Sequence, residues 1–292
     1  MNPLPPLSAA PQNLLLGVAG WDDPARFAGL GNGNRDEILA WLAQTFNLIE
    51  ITASYYQPLA PEVTRRWLEP VKSNGRLRFT ARLWQKLLRE RSAQSQAEVQ
   101  RFLAGLEPLT RAKRLAAVVA PFSYTFHNSP ANQDWLRWLA DALAGYTLVI
   151  ELHHHSWSET NAAKILLAAG LCLAHVDQPR PGRAFVFPLE TPSRLVYARF
   201  DGRNQAAWLA ATASRDDRHD YLYSDAELAA IAGRVKTALS RTSLGCIVFN
   251  NYPRGHSLVN AVQLQALLRG APLPEAGELL RQFPFSRPAE RN

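Results

Sequence analysis

A single-domain α/β protein, a (β/α)8 TIM barrel, is the fold class the sequence predicts, and three observations predict it. Eight short β-like apolar runs recur along 292 residues. Amphipathic helical stretches separate most of them, the pattern of a parallel sheet built from right-handed βα units. No GxGxxG or Walker A sequence supports a nucleotide on an open sheet, so eight units favour closure into a barrel. The length suits one such barrel.

The elements follow in order. "LLLGVAG" (14–20) predicts the first strand and "RDEILAWLAQTF" (35–46) a helix. "LIEIT" (48–52) is a strand, and "PEVTRRWLEPVK" (61–72) a helix opened by proline. "LRFTARL" (77–83) and "LAAVVA" (115–120) are strands, with a helix at 95–107 between them and another over 130–144. "TLVIELH" (147–153) is the fifth strand, followed by a helix at 159–169 and the strand "LCLAHV" (171–176). "QPRPGRAFVFPLETPS" (178–193) has too much proline for a helix and reads as loop. "RLVYARF" (194–200), a helix at 224–240, "LGCIVFNN" (244–251) and the helix "LVNAVQLQALLR" (258–269) complete the barrel. Residues 1–13 and 271–292 read as Pro-rich tails around a barrel domain of 14–270.

Hydrophobic residues make up 47% of the chain, enough for a large core and against disorder. The two cysteines, Cys172 and Cys246, sit in apolar runs without CxxC spacing and read as buried free thiols. The N-terminus lacks the basic start and apolar stretch of a signal peptide or anchor, no later run is long enough for a bilayer, and the expected location is the cytoplasm. A net charge of +7 favours anionic partners, whether nucleic acid, a phosphorylated small molecule or anionic lipid. The partners expected are an anionic small molecule or nucleic acid and no membrane. The charge is spread over helices and tail, which on its own fits a solvated surface better than a nucleic-acid groove.

Barrel chemistry sits where the strands end. Read at those ends, the sequence offers Gly20, Trp21 and Asp22, then Glu50 with Thr52, Ser54, Tyr55 and Tyr56, then Arg82. Next come Pro121, Ser123 and Tyr124, then Glu151 and His153, then His175 and Asp177, then Arg199 and Asp201, and last Asn250 and Asn251. Glu50 and Glu151 stand out because each lies within an apolar run.

Taken together and in order, several segments resemble the YecE-like family (domain of unknown function 72). They are "GVAGW" (17–21), "FNLIEITASYYQP" (46–58), "VIELHHHSW" (149–157), "YARFDGR" (197–203), "YLYSDAEL" (221–228) and "IVFNN" (247–251) with Asn260 and Ala261. The resemblance covers residues 14–270 and implies a TIM barrel, with no established reaction. The chain departs from the family pattern at Thr52 (usually Asn), Val119 (commonly Gln), His153 (usually Arg) and Asp201 (usually His). The usual Thr-His pair after the third strand is absent.

Three chemistries compete for these residues. Glu50, Glu151, His153, His175 and Asp177 carry donor types that suit a divalent metal, although no HExxH or similar tight spacing supports one. Glu50 and Glu151 can instead serve as catalytic acid and base, with Arg82 and Arg199 binding an anionic substrate. The bland alternative pairs each glutamate with an arginine, Glu50 with Arg82 from the adjacent strand. Trp21, Tyr55, Tyr56 and Trp157 can stack a ring or cap the core. Along "IELHHH", alternation puts Glu151 and His153 on one face, so the three histidines do not form one metal cluster. No GxSxG nucleophile is present. The expectation is a polar pocket at the C-terminal strand ends for an anionic, phosphate-containing or nucleic-acid ligand. Glu50 and Glu151 are its catalytic candidates. Trp21, Tyr56, Arg82, His153, Asp177, Arg199, Asp201, Asn250 and Asn251 are its binding candidates. The protein is then a hydrolase, or alternatively a non-catalytic binder that has lost the family's chemistry.

Overall fold

A computed structural model describes residues 11–21, 27, 34–158, 162–180, 184–191 and 193–282. Its strands are β1 (Leu14–Ala19), β2 (Leu48–Ile51), β3 (Arg78–Arg82), β4 (Leu115–Pro121), β5 (Leu148–Glu151), β6 (Cys172–Asp177), β7 (Leu195–Phe200) and β8 (Leu244–Phe249). They pair in parallel in chain order, and β8 closes on β1. This is the (β/α)8 barrel expected from the sequence. The connecting helices are α1 (Arg35–Thr45), α2 (Pro61–Arg66), α3 (Gln85–Arg89), α4 (Ser95–Arg111), α5 (Pro130–Ala142) and α6 (Ala162–Ala168). They continue with α7 (Gln205–Leu209), α8 (Arg215–His219), α9 (Asp225–Leu239), α10 (His256–Arg269) and α11 (Ala276–Gln282).

Alternation along each strand sorts side chains across the barrel wall. Leu15, Leu48, Val149, Cys172, Ala174, Val176, Cys246 and Val248 fill the lumen. Leu14, Leu16, Ile49, Ile150, Leu173 and Phe200 face outward into the larger core beneath the helices. Helix α1 begins where the Asn34 side chain accepts from Asp36 N at 2.9 Å, and it turns Ile38, Leu39 and Leu42 onto the wall. A capping box between Ser224 and Glu227 starts α9, whose Leu228, Ile231 and Val235 recur at helical spacing on the buried side. Each such fully buried aliphatic side chain stabilises the fold by about 1.5–3 kcal/mol.

Close approach explains one motif glycine. A Cβ at Gly17 would lie 1.7 Å from the Leu48 carbonyl oxygen, so β1 and β2 can pair only with glycine there. Cys172 and Cys246 are buried free thiols. Among the described residues, no helix is long and apolar enough to cross a membrane.

Some boundaries differ from expectation. The helix expected over 61–72 stops at Arg66, because Pro70 has no N–H to give and disfavours helical backbone at Glu69. The fifth strand ends at Glu151 rather than 153, where the chain turns into a short 3-10 helix at His155–Ser158. Beyond 271, α11 returns to the barrel and buries Leu279. At the other end, Asn13 donates to Leu239 O and Thr242 O, tying the start of β1 to the α9–β8 turn. The rest of both expected tails, 1–10 and 283–292, lies outside the described residues, as does Asp22.

Candidate functional site

The C-terminal ends of the strands surround a cavity of about 380 Å³. Its floor comes from residues that continue the lumen-facing alternation: Arg82 of β3, His153 after β5, Arg199 of β7, and Asp201 and Asn250 after β7 and β8. Its walls are aromatic, with Tyr55, Tyr56, Phe122, Tyr124 and Trp208.

Two ion clusters form the floor. In the first, Glu50 is fully buried; Arg82 Nε donates to its Oε1 at 2.7 Å, and Arg82 Nη2 lies 2.7 Å from the same oxygen. The Tyr197 hydroxyl donates to Oε2 of Glu50, and Thr80 completes its surroundings at 3.4 Å. This is the pairing of adjacent strands that the sequence offered as the structural alternative to catalysis. Burial and the Glu50 charge push the Tyr197 hydroxyl well above its usual range, so it acts as a proton-holding donor.

The second cluster centres on Arg199. Its Nη1 and Nη2 donate to the two Glu151 oxygens at 2.5 and 2.7 Å, and its Nε and Nη2 donate to Asp201 at 2.9 and 3.1 Å. His153 Nε2 lies 2.7 Å from Glu151 Oε1, as expected if the two share a face. Burial alone would raise the Glu151 carboxyl, but Arg199 and His153 overcome it and hold the group far below the usual carboxylate range. Asp201 is lowered in the same way: burial opposes, and Arg199 and His219 prevail. Asn250 Nδ2 donates to Asp201 Oδ1 at 2.7 Å, joining β8 to the cluster.

Gln178 ties the wall to the floor. Its amide nitrogen lies 2.6 Å from the Tyr124 hydroxyl and 3.4 Å from His153 Nδ1, and the Tyr124 and His153 rings stack at 4.6 Å. Burial, reinforced by Glu151, pushes the Tyr124 hydroxyl up to about 12. At the rim, Arg215 Nη1 donates to the exposed Tyr56 hydroxyl at 2.9 Å, linking the loop after β2 to α8.

Glu50, Glu151, Tyr56, Arg82, His153, Arg199, Asp201 and Asn250 therefore gather at or directly under one mouth. Three binding candidates stand elsewhere and correct the expectation. Trp21 packs against Trp67 and Phe79 in the outer core, with ring centroids 4.9 and 5.9 Å away. Asp177 shares the outward face of β6 with Leu173 and His175, because Cys172, Ala174 and Val176 take the lumen. It accepts from Arg203 at 2.7 and 2.8 Å and from Tyr223 at 2.9 Å. Asn251 points away from Asn250 and donates to Tyr221 O and Asn260 Oδ1, both at 2.8 Å, holding α10 in place. The proposed metal set is drawn apart by the same alternation, since His175 and Asp177 leave the mouth. Among the described residues no group of three or more His, Cys, Asp or Glu side chains converges as metal ligands.

Several pocket residues went unread in the sequence. Trp208, Arg215 and His219 come from α7 and α8, short helices inserted between β7 and α9. The Ser214 to Asp217 capping box in "SRDD" was the available signal for α8. Tyr197 was legible by alternation, two residues before Arg199 on the inward face.

The family model described as "Protein of unknown function DUF72" matches residues 15–279. A DUF72 family protein from Enterococcus faecalis V583 is similar in structure, with a TM-score of 0.78 at 26% identity over 87% of this chain and 95% of that one. Another from Thermotoga maritima MSB8 gives a TM-score of 0.74 at 25% identity, over 87% and 98% of the two chains. No curated protein matches the chain.

Proposed function

This chain belongs to the DUF72 family, and from that premise we propose that its barrel mouth binds an anionic, phosphate-containing ligand. One observation carries the reading. Arg215 stands at the rim of the cavity with a phenol hydroxyl and the Tyr252 ring as its neighbours, and among the described residues no carboxylate pairs with it. A guanidinium so placed keeps donors for an incoming anion. Arg82 adds to it: its hydrogen bonding to Glu50 runs through one edge, while the residue also lines the cavity. The aromatic walls suit a ligand that also carries a planar or apolar portion.

The hydrolase reading rests on Glu50 or Glu151 giving or taking a proton. Glu151 is committed to Arg199 and His153, and Glu50 to Arg82 and Tyr197. This favours the second reading, a barrel that binds its ligand without turning it over. In either reading the two glutamates fix the arginines in position. Two free thiols suit a reducing compartment, consistent with a cytoplasmic protein.

p-Nitrophenyl phosphate tests both parts, since it offers a dianion, a ring and a coloured product. Calorimetry is expected to show binding that weakens about tenfold or more in Arg215→Ala, the loss of a charged hydrogen bond. Equal affinity in the variant removes the reading. Release of nitrophenolate by the wild type, lost in Glu151→Gln, restores the hydrolase. A phosphodiester strand as the true ligand would show affinity that falls steeply with salt, and a small ester only a shallow dependence.

A further inference from the structure

A second cavity of about 480 Å³ opens beside the first, with Gln178 lining both. It lies on the outer side of the barrel wall, where His175 and Asp177 of β6 meet Arg203 after β7 and Arg234 of α9. Its chemistry is unlike that of the mouth.

His175 is 3% exposed, and its Nδ1 lies 2.7 Å from the Phe187 carbonyl oxygen. A carbonyl only accepts, so Nδ1 carries the proton, and the neutral ring keeps a bare lone pair on Nε2. Burial also holds this imidazole below its usual range, against the opposing Phe187 hydrogen bond. Nε2 is buried and has no hydrogen-bond partner. A buried acceptor left unmet is costly and calls for a donor.

The surroundings decide which donor. Arg180, Arg203 and Arg234 line the cavity. Asp177 and Glu227 hold Arg203, and Glu190 holds Arg234, while Arg180 is exposed with no carboxylate partner among the described residues. Arg180 is therefore the uncompensated charge of this cavity, and among the described residues no three His, Cys, Asp or Glu side chains converge to hold a metal cation, the other species a histidine nitrogen commonly takes. A ligand with a neutral donor and a negative charge fits both halves.

We propose that this outer cavity is a second binding site, for a small hydroxylated phosphate ester whose hydroxyl donates to His175 Nε2 while its phosphate meets Arg180. The site does not depend on the reading of the mouth.

The test compares glycerol 1-phosphate with methyl phosphate by calorimetry at pH 8. Both are then largely dianions, so only the glycerol hydroxyls can donate. Titrations in Arg215→Ala separate this cavity from the mouth. Glycerol phosphate is expected to bind about fivefold to tenfold more tightly than methyl phosphate, as one added hydrogen bond predicts. His175→Phe is expected to abolish that preference, and Arg180→Ala to weaken both probes. Equal affinities, or a preference that survives His175→Phe, overturn the proposal. Should His175→Phe fail to fold, long-range 1H–15N spectra of the Arg215→Ala protein decide. A His175 Nε2 resonance that moves on saturation with glycerol phosphate, and not with methyl phosphate, supports the site. An unmoved resonance means that water alone meets this nitrogen, and the proposal falls.

Discussion

The lumen of this barrel and its mouth are built by the same strands and held by different forces. Leu48 and Val149 face the lumen among aliphatic and thiol side chains; two residues further along, Glu50 and Glu151 sit in ion clusters. The lumen is held by non-directional burial, so shape and volume matter more than identity. The mouth is held by directed pairs, each of which leaves an uncompensated buried charge if one partner goes. A single strand thus changes its tolerance to substitution within one pleat.

The largest expected effect tests that contrast directly. Arg199→Met strands Glu151 and Asp201 and is expected to cost about 3–5 kcal/mol in urea unfolding. Adding Glu151→Gln to Arg199→Met should recover part of the loss in a double-mutant cycle. A cost no larger than that of a lumen substitution would erase the distinction. Next, Tyr197→Phe takes a donor from the buried Glu50 carboxylate and should cost about 1.5–3 kcal/mol.

Acid sharpens the comparison through proton linkage. Glu151 is depressed in the folded state, so its contribution is complete above its unfolded value of 4.5 and is lost as pH falls toward the folded one. His175 and His219 are also lowered, mainly by burial. Unfolding therefore takes up protons below their unfolded value of 6.5, and they erode stability from there downward. Stability measured by denaturant from pH 8 to pH 3 is expected to fall in two stages, and Glu151→Gln should flatten the lower one. An unchanged lower stage would mean that Glu151 contributes nothing there and that Asp201, lowered in the same cluster, carries that stage. Smaller still, Leu195→Met in the lumen preserves volume and should cost less than about 1.5 kcal/mol. Arg215→Ala at the rim should leave stability within about 0.5 kcal/mol while weakening the ligand.

The barrel was legible because strand and helix periodicities differ and because eight units leave few topologies. Alternation carried the reading of "IELHHH", placing Glu151 and His153 together, and adjacency carried Glu50 with Arg82. The same rule, applied to β6, would have sent His175 and Asp177 outward with Leu173. Both were instead assigned by their chemical type at a strand end. Trp21 shows a different gap. Whether an aromatic beyond a strand caps the outer core or faces the pocket depends on Trp67, from a distant helix end. Trp208 and Arg215 lie in a long connection whose short helices have too few turns for an amphipathic pattern to register.

Gln178 belongs to both cavities, and one amide group cannot serve two surroundings independently. A ligand in the outer cavity that draws Gln178 away also releases the Tyr124 hydroxyl and His153 Nδ1 it contacts in the mouth. Thermodynamic reciprocity then requires the effect to run equally in reverse: whatever factor one occupant imposes on the other's affinity, it receives back. With both proposed sites occupied, the expected outcome is that a ligand in one cavity alters the affinity of the other.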